Sequence, residues 1–118
     1  MEMVVHLHSD VFDIVSNGNK DIEVRLYDEK RSKLCIGDTL IFLRRPDEID
    51  SIKARVVDLV RFNNFSEVVD SYDMKRIYLD GYSKEMYLNE MRRFYKEEEE
   101  LKYGALAIIF EVINNDEA

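Results

Sequence analysis

The sequence has few of the residues that cross-link or rigidify a chain. It contains one cysteine, Cys35, one proline and no tryptophan among 118 residues. A single cysteine excludes an internal disulfide, which suits a reducing compartment, and we expect a cytoplasmic protein. The longest apolar run, residues 105–110, is much shorter than the roughly 20 residues that span a bilayer, so no membrane contact is expected.

Basic residues are also in short supply. Lys and Arg number 17 against 25 Asp and Glu, which gives a formal net charge of −8. The imbalance is largest after residue 45, where the chain has ten basic and seventeen acidic side chains. The electrostatic field of this net negative charge repels a long phosphate backbone, so non-specific DNA binding is not expected. A small ligand or a single nucleotide in a locally basic pocket is compatible with it.

Length and composition predict one globular domain over residues 1–118. Hydrophobic residues make up 46% and charged residues 36% of the chain, which is ordinary for a folded protein. A chain of this length supports one core rather than two. We therefore expect no internal domain boundary.

Hydrophobic periodicity predicts both strands and helices. The predicted strands are 3–7, 21–27, 39–43, 52–59 and 105–113. The predicted helices are 10–16, 65–72 and a longer segment that begins after Ser83. The alternation slips by one residue at Val56 and Val57, which indicates a bulge, and the last five residues are expected to be a frayed tail. Five or six mixed strands with about three flanking helices predict an α+β domain built on a small curved sheet or barrel.

Two further patterns have structural interpretations. The helix after Ser83 carries four residues at the spacing of one packed face: Tyr87, Met91, Phe94 and Tyr95. The acidic run 97–100 is interpreted as a solvated helical face or a helix end.

His6 and His8 alternate on one strand face and in principle share a metal, but no third ligand stands at a recognisable spacing. We therefore predict no metal and no cofactor.

The segment 17–31 contains the candidate site. Its central part reads I-E-V-R-L over residues 22–26, and this alternation sends apolar and polar side chains to opposite faces of a strand. We expect the apolar face to lie in the core. The polar face, with Lys20 in the preceding turn, is expected to leave Lys20, Glu23 and Arg25 near a surface groove.

These three residues offer complementary chemistry. Lys20 supplies a cation, Glu23 an acceptor or base, and Arg25 a rigid fork of donors suited to phosphate, carboxylate or a base edge. The alternative interpretation is a surface ion-pair cluster on an exposed strand, which contributes little energy.

The residues 18–25 read G-x-K-x-x-E-x-R, which resembles the signature of the ASCH domain family. The surrounding chain keeps the family's order: Gly37-Asp38 opens an apolar strand, and Tyr103-Gly104 leads into the last one. ASCH domains are similar to PUA domains, so the resemblance implies a PUA-like β-barrel over essentially the whole chain. It also implies a role in RNA-related or nucleotide-related binding.

The resemblance further suggests a second function. Some ASCH proteins are small amidohydrolases that remove an acetyl group from acetylated cytidine, and others act as ribonucleases. In the amidohydrolases the signature's acidic position is a threonine, the proposed nucleophile, whereas this chain has Glu23. A hydrolase would use Lys20 and Glu23 as its catalytic pair, with Glu23 activating a water.

We therefore rank the functions as binding first and hydrolysis second, and leave open whether the chain is an enzyme. The predicted partner is RNA or a nucleoside-like small molecule. Three further residues complete the predicted ligand contacts besides Lys20, Glu23 and Arg25: Tyr27 and Tyr103 as stacking platforms and Arg31 as a phosphate contact.

Overall fold

The computed structural model describes residues 1–113, and the predicted tail lies outside them. Its strands are β1 (Glu2–Leu7), β2 (Ile22–Leu26), β3 (Thr39–Arg44), β4 (Ser51–Phe62) and β5 (Ala105–Val112). Its helices are α1 (Ser9–Ser16), α2 (Glu29–Ser32), α3 (Phe65–Ser71), α4 (Met74–Ile77), α5 (Lys84–Phe94) and α6 (Glu97–Tyr103).

The five strands form one mixed sheet in the order β1-β3-β4-β5-β2. β1 runs parallel to β3, and the other neighbouring pairs are antiparallel. The predicted bulge is confirmed, because the register of β4 against β5 shifts between Val56 and Asp58. The sheet curls into a half-barrel, which confirms the α+β fold.

β5 organises the core because it contributes to both faces of the sheet. Leu106, Ile108 and Phe110 pack in one cluster with residues of β1, α1 and β3. Ala105 and Ala107 pack in a second cluster with residues of β2, α3 and α5. The apolar face predicted for β2 is confirmed, since Ile22, Val24 and Leu26 are all buried in this second cluster.

The predicted long helix after Ser83 is divided in two. Ser83 caps it as expected, because its hydroxyl oxygen accepts from the backbone N–H of Met86 at 3.1 Å. α5 then ends at Phe94, the backbone at Tyr95 is extended, and α6 begins at Glu97.

The acidic run 97–100 is only partly solvated, so its interpretation as a solvated face is wrong for Glu100. Glu100 is 8% exposed. One of its carboxylate oxygens accepts from the backbone N–H of Phe65 at 2.8 Å, and the other contacts Arg92 at 2.7 Å. This carboxylate therefore ties α6 to the start of α3.

The short helix α4 is an element that the sequence pattern did not predict. It lies between the predicted helix 65–72 and the helix after Ser83, where hydrophobic periodicity predicts no element. α4 matters for the site because its last residue, Ile77, is buried against β2. Among residues 1–113, none of the helices has the length and apolar character needed to cross a bilayer.

Candidate functional site

The turn between α1 and β2 fixes the start of the signature strand. Gly18, with φ +87°, reverses the chain after α1, and the backbone N–H of Lys20 donates to the Ile14 carbonyl at 3.0 Å. The carboxylate of Asp21 accepts two hydrogen bonds from the guanidinium of Arg76, at 2.9 and 3.0 Å. The Lys20 side chain is thereby directed inward between β2 and α4.

Lys20 is buried, with 2% of its surface exposed. Its ammonium group donates to the carbonyl of Ile22 and, at 2.7 Å, to the carbonyl of Ile77. It also lies 3.2 Å from Glu23 Oε1. Three acceptors match the three N–H donors of an ammonium group, so Lys20 is fully engaged by the protein.

Glu23 lies between the two cations. It is 5% exposed, and its Oε2 accepts from Arg25 Nε at 2.7 Å and lies 2.6 Å from Arg25 Nη2. The side chains of Lys20, Glu23 and Arg25 therefore form one network, in which Lys20 and Glu23 are buried and Arg25 is half-buried. The interpretation of these residues as a surface ion-pair cluster is therefore wrong. The polar face of β2 is not exposed to solvent, because α4 and α5 cover the network.

The charges of the network shift its proton affinities. Burial alone raises the pKa of the Glu23 carboxyl, but Arg25 and Lys20 outweigh it and hold that pKa below its ordinary value. Burial lowers the pKa of Lys20, although Glu23 opposes the change. At neutral pH Glu23 is therefore an ionised acceptor rather than an acid.

A cavity of about 490 Å³ opens onto this network. Its floor includes Lys20, Glu23 and Arg25, and its walls are formed mainly by apolar and aromatic side chains from α1, α4 and α5 and the segments beside them: Val11, Ile77, Tyr78, Tyr87, Met91, Phe94 and Tyr95. A largely apolar cavity of this size with a few converging polar groups is typical of a small-molecule site. The structure thus brings the three signature residues together in one concave site.

Three tyrosines in the wall are donors at neutral pH. Burial raises the pKa of Tyr78 to about 12. Burial also raises the pKa values of Tyr87 and Tyr95, and in Tyr95 the neighbouring Arg25 opposes the change. The phenol groups therefore keep their protons and can donate hydrogen bonds to a polar ligand.

The mouth of the cavity has a different composition from its floor. His6, Leu7 and His8 border it from the end of β1, and Arg45 borders it from the turn after β3. His6 Nδ1 lies 2.5 Å from Glu48 Oε1. Among residues 1–113, no group of three potential metal ligands comes together, at the histidines or elsewhere.

The other predicted ligand contacts lie outside this cavity. Tyr27 packs beneath Arg61, whose guanidinium carbon is 3.8 Å from the ring centroid. Arg31 pairs with Asp28 at 3.1 Å, and Tyr103 borders a shallower depression near α2. These three residues are separate from the wall of the 490 Å³ cavity, within the part of the chain that the structure describes.

Sequence reasoning missed the aromatic wall. The stripe Tyr87, Met91, Phe94 and Tyr95 was interpreted as core contact, and two of its members, Tyr87 and Met91, are indeed buried. Residues of this stripe also line the cavity, together with Glu23 and Arg25 of β2. The two hydroxyl-bearing rings of the stripe, Tyr87 and Tyr95, were the sequence signal for a polar cavity beside this helix.

Comparison with known proteins agrees with this geometry. The sequence profile of the ASCH domain matches residues 5–114. The hypothetical protein PH0355 is 32% identical, with a TM-score of 0.84 over 96% of this chain and 100% of the other. Protein PF0455 from Pyrococcus furiosus is also 32% identical, with a TM-score of 0.76 over 97% of this chain and 99% of the other.

The chain therefore belongs to the ASCH domain family, a PUA-like family thought to bind RNA. The ASCH protein of Zymomonas mobilis shares the fold, with a TM-score of 0.63 at 15% identity over 98% of this chain and 74% of that one. No functionally curated protein matches the sequence.

Proposed function

We propose that this protein is a binding module for RNA or a nucleotide-like ligand, and that the ligand enters the cavity beside β2. The observation that supports the proposal is the convergence of Glu23, Arg25 and Tyr95 on one cavity of about 490 Å³. The proposal includes a single domain over residues 1–118 and a cytoplasmic location.

The floor supplies both kinds of hydrogen-bonding partner that a nucleobase edge needs. Glu23 is held ionised by its two cations and offers carboxylate oxygens as acceptors. Arg25 is partly exposed, with 23% of its side-chain surface open, and has more N–H donors than Glu23 Oε2 uses. The aromatic wall provides rings on which a base stacks.

Lys20 has a supporting role in this proposal. Its three donors are used by two carbonyls and Glu23, and its side chain is 2% exposed. It therefore holds Glu23 in position, while Glu23 and Arg25 meet the ligand. Tyr27, Arg31 and Tyr103 remain predicted contacts that lie outside the cavity.

The proposal is tested by binding measurements on two tyrosine variants. Tyr95→Phe removes a hydroxyl from the cavity wall, and Tyr103→Phe removes one from outside it. We expect Tyr95→Phe to weaken the binding of nucleosides or short RNA by about three- to tenfold, the effect of one hydrogen bond. Tyr103→Phe is expected to bind like the unchanged protein.

A third variant, Arg25→Lys, keeps the positive charge but loses the planar fork. We expect it to weaken binding by more than Tyr95→Phe does. If both cavity variants bind like the unchanged protein, or if Tyr103→Phe alone is impaired, the ligand does not use this cavity.

Hydrolysis at the same cavity is the second candidate function. The observation that favours it is the lowered pKa of Lys20 directly beside Glu23. A lysine acting as a base would need a free lone pair, and here the ammonium group already has three acceptors. Binding without turnover is therefore the better supported function.

The hydrolase is tested with acetylated cytidine and with short RNA as substrates. If the cavity is catalytic, Glu23→Gln and Lys20→Met should each abolish product formation while circular dichroism still shows folded protein. Turnover that survives both substitutions would show that the active site is not this cavity.

A further inference from the structure

Arg45 is a cation at the mouth of the cavity that has no acidic partner among residues 1–113. It follows β3, and its backbone N–H donates to the Leu7 carbonyl at 2.8 Å, which fixes its position beside the end of β1. Its side chain is exposed and borders the cavity. Within residues 1–113 its guanidinium makes no hydrogen bond and no ion pair, whereas neighbouring Arg44 is bound by Asp13 and Asp50.

His6, the histidine next to Arg45 at the mouth, already has an acidic partner. The contact joins His6 Nδ1 to a carboxylate oxygen of Glu48, so this ring nitrogen already has a partner within the protein. His8 has its ring centroid 6.5 Å from that of Phe94, which is 51% exposed. Within residues 1–113 the mouth thus combines one unpaired guanidinium with two exposed rings.

The charges of the floor are already paired. Glu23 lies between Lys20 and Arg25, so both cations there have their anion within the protein. An anionic group of a ligand is therefore favoured at the mouth and a neutral polar edge at the floor. Between them lie apolar and aromatic side chains, which accept the flat part of a ligand.

We infer that the cavity selects a nucleotide over the corresponding nucleoside, with the base edge at Glu23 and Arg25 and the phosphate at Arg45. This inference rests on the proposed binding function and specifies its ligand class. Arg45 is the residue that determines the preference, because an arginine fork matches the oxygen geometry of a phosphate.

The test compares nucleosides with their 5′-monophosphates by calorimetry in phosphate-free buffer. The probes are the four common ribonucleosides and the four matching nucleotides. At least one nucleotide should bind about tenfold more tightly than its nucleoside, which is the scale of one charge-assisted hydrogen bond. Arg45→Ala should abolish this difference.

Arg55→Ala is the matched control. It removes the same positive charge from the exposed surface of β4, where Arg55 pairs with Glu111 at 3.3 Å, away from the cavity. The preference for nucleotide should persist in this variant. If the charge of the whole molecule set the preference, both variants would lose it, and Arg45 would have no special role.

Two outcomes overturn the inference in different ways. Equal binding within all four nucleoside–nucleotide pairs, or a preference that survives Arg45→Ala, contradicts the phosphate site but leaves the proposed binding function intact. Failure of all eight probes and of short RNA to bind contradicts both.

The source of the phosphate is resolved by a third comparison, between a trinucleotide with a 5′-phosphate and one with a 5′-hydroxyl. If the 5′-phosphorylated trinucleotide binds more tightly than the 5′-hydroxyl trinucleotide, and Arg45→Ala removes this gain, the phosphate belongs to an RNA end. If only mononucleotides show the preference, the ligand is a free nucleotide.

Discussion

Glu23 is the residue on which the candidate site depends. Its carboxylate is 5% exposed and is contacted by both Lys20 and Arg25. Taking three charges out of water is unfavourable, and only their mutual contacts and the carbonyl partners of Lys20 offset that cost. Removing the central charge leaves buried Lys20 and half-buried Arg25 without their anion.

Glu23→Gln should therefore destabilise the fold strongly. We expect a loss of about 3–5 kcal/mol in the free energy of unfolding, measured by urea denaturation at neutral pH. The control is Glu111→Gln, because Glu111 is paired with Arg55 on the exposed surface, and its loss should cost below about 1 kcal/mol. Equal, small losses in both variants would show that the buried network contributes no more than a surface pair.

The same carboxylate should make stability depend on acidity. The pKa of Glu23 in the folded protein is below its ordinary value of 4.5, so the unfolded chain binds this proton more readily. The stability from Glu23 is thus fully present above about pH 4.5 and is lost as the pH falls through the folded pKa.

The measurement is the difference in unfolding free energy between the unchanged protein and Glu23→Gln at several pH values. The difference should shrink below about pH 4.5, since the variant lacks the titrating group. Asp38 also has a lowered pKa, but it is present in both proteins and cancels. A difference that stays constant down to about pH 3 would contradict the assignment.

At the scale of elements, α6 is attached to α3 by one side chain. Glu100 accepts from the backbone N–H of Phe65, the first residue of α3 and a fully buried one. A buried N–H without a partner is costly, so the bond stabilises both elements.

Glu100→Ala should destabilise the protein by about 1–3 kcal/mol, because it leaves the Phe65 N–H without an acceptor. Glu98→Ala, an exposed member of the same acidic run, should change stability by less than about 0.5 kcal/mol. Thermal denaturation of the two variants makes the comparison. Similar melting temperatures would mean that Glu100 is equivalent to the solvated acids.

The strands were more predictable from the sequence than the helices that enclose the site. Alternation at 22–26 identified β2 and its buried face, and the slip at Val56 identified the bulge, because both depend on neighbours along the chain. α4 and the Lys20 contact to Ile77 depend on residues 57 positions apart, which periodicity does not encode. The burial of Glu23 was missed for the same reason, since α4 and α5 cover it only in the folded chain.

The whole molecule is acidic, which limits how it can meet a nucleic acid. With a net charge of −8, only a local cation such as Arg45 can attract phosphate. We therefore expect the bound ligand to make few phosphate contacts with this protein. Proteins that bind a polynucleotide backbone along a basic surface make many.

The salt dependence of RNA binding should accordingly be shallow. For single strands the logarithm of the binding constant falls by about 0.7 per phosphate contact for each unit of log salt, so one or two contacts predict a slope near −1. Fluorescence anisotropy of a labelled short RNA at several salt concentrations measures it. A slope steeper than about −4 would indicate a polyanion-binding surface instead.

The most direct test of the central claim is to map the binding site by NMR during titration with nucleotides and short RNA. The account predicts saturable chemical-shift changes in the cavity, at Glu23, Arg25 and Tyr95, with smaller effects at Tyr27 and Tyr103. Saturable binding whose shifts avoid the cavity, or no shifts at any residue, would contradict the claim that the ligand enters beside β2.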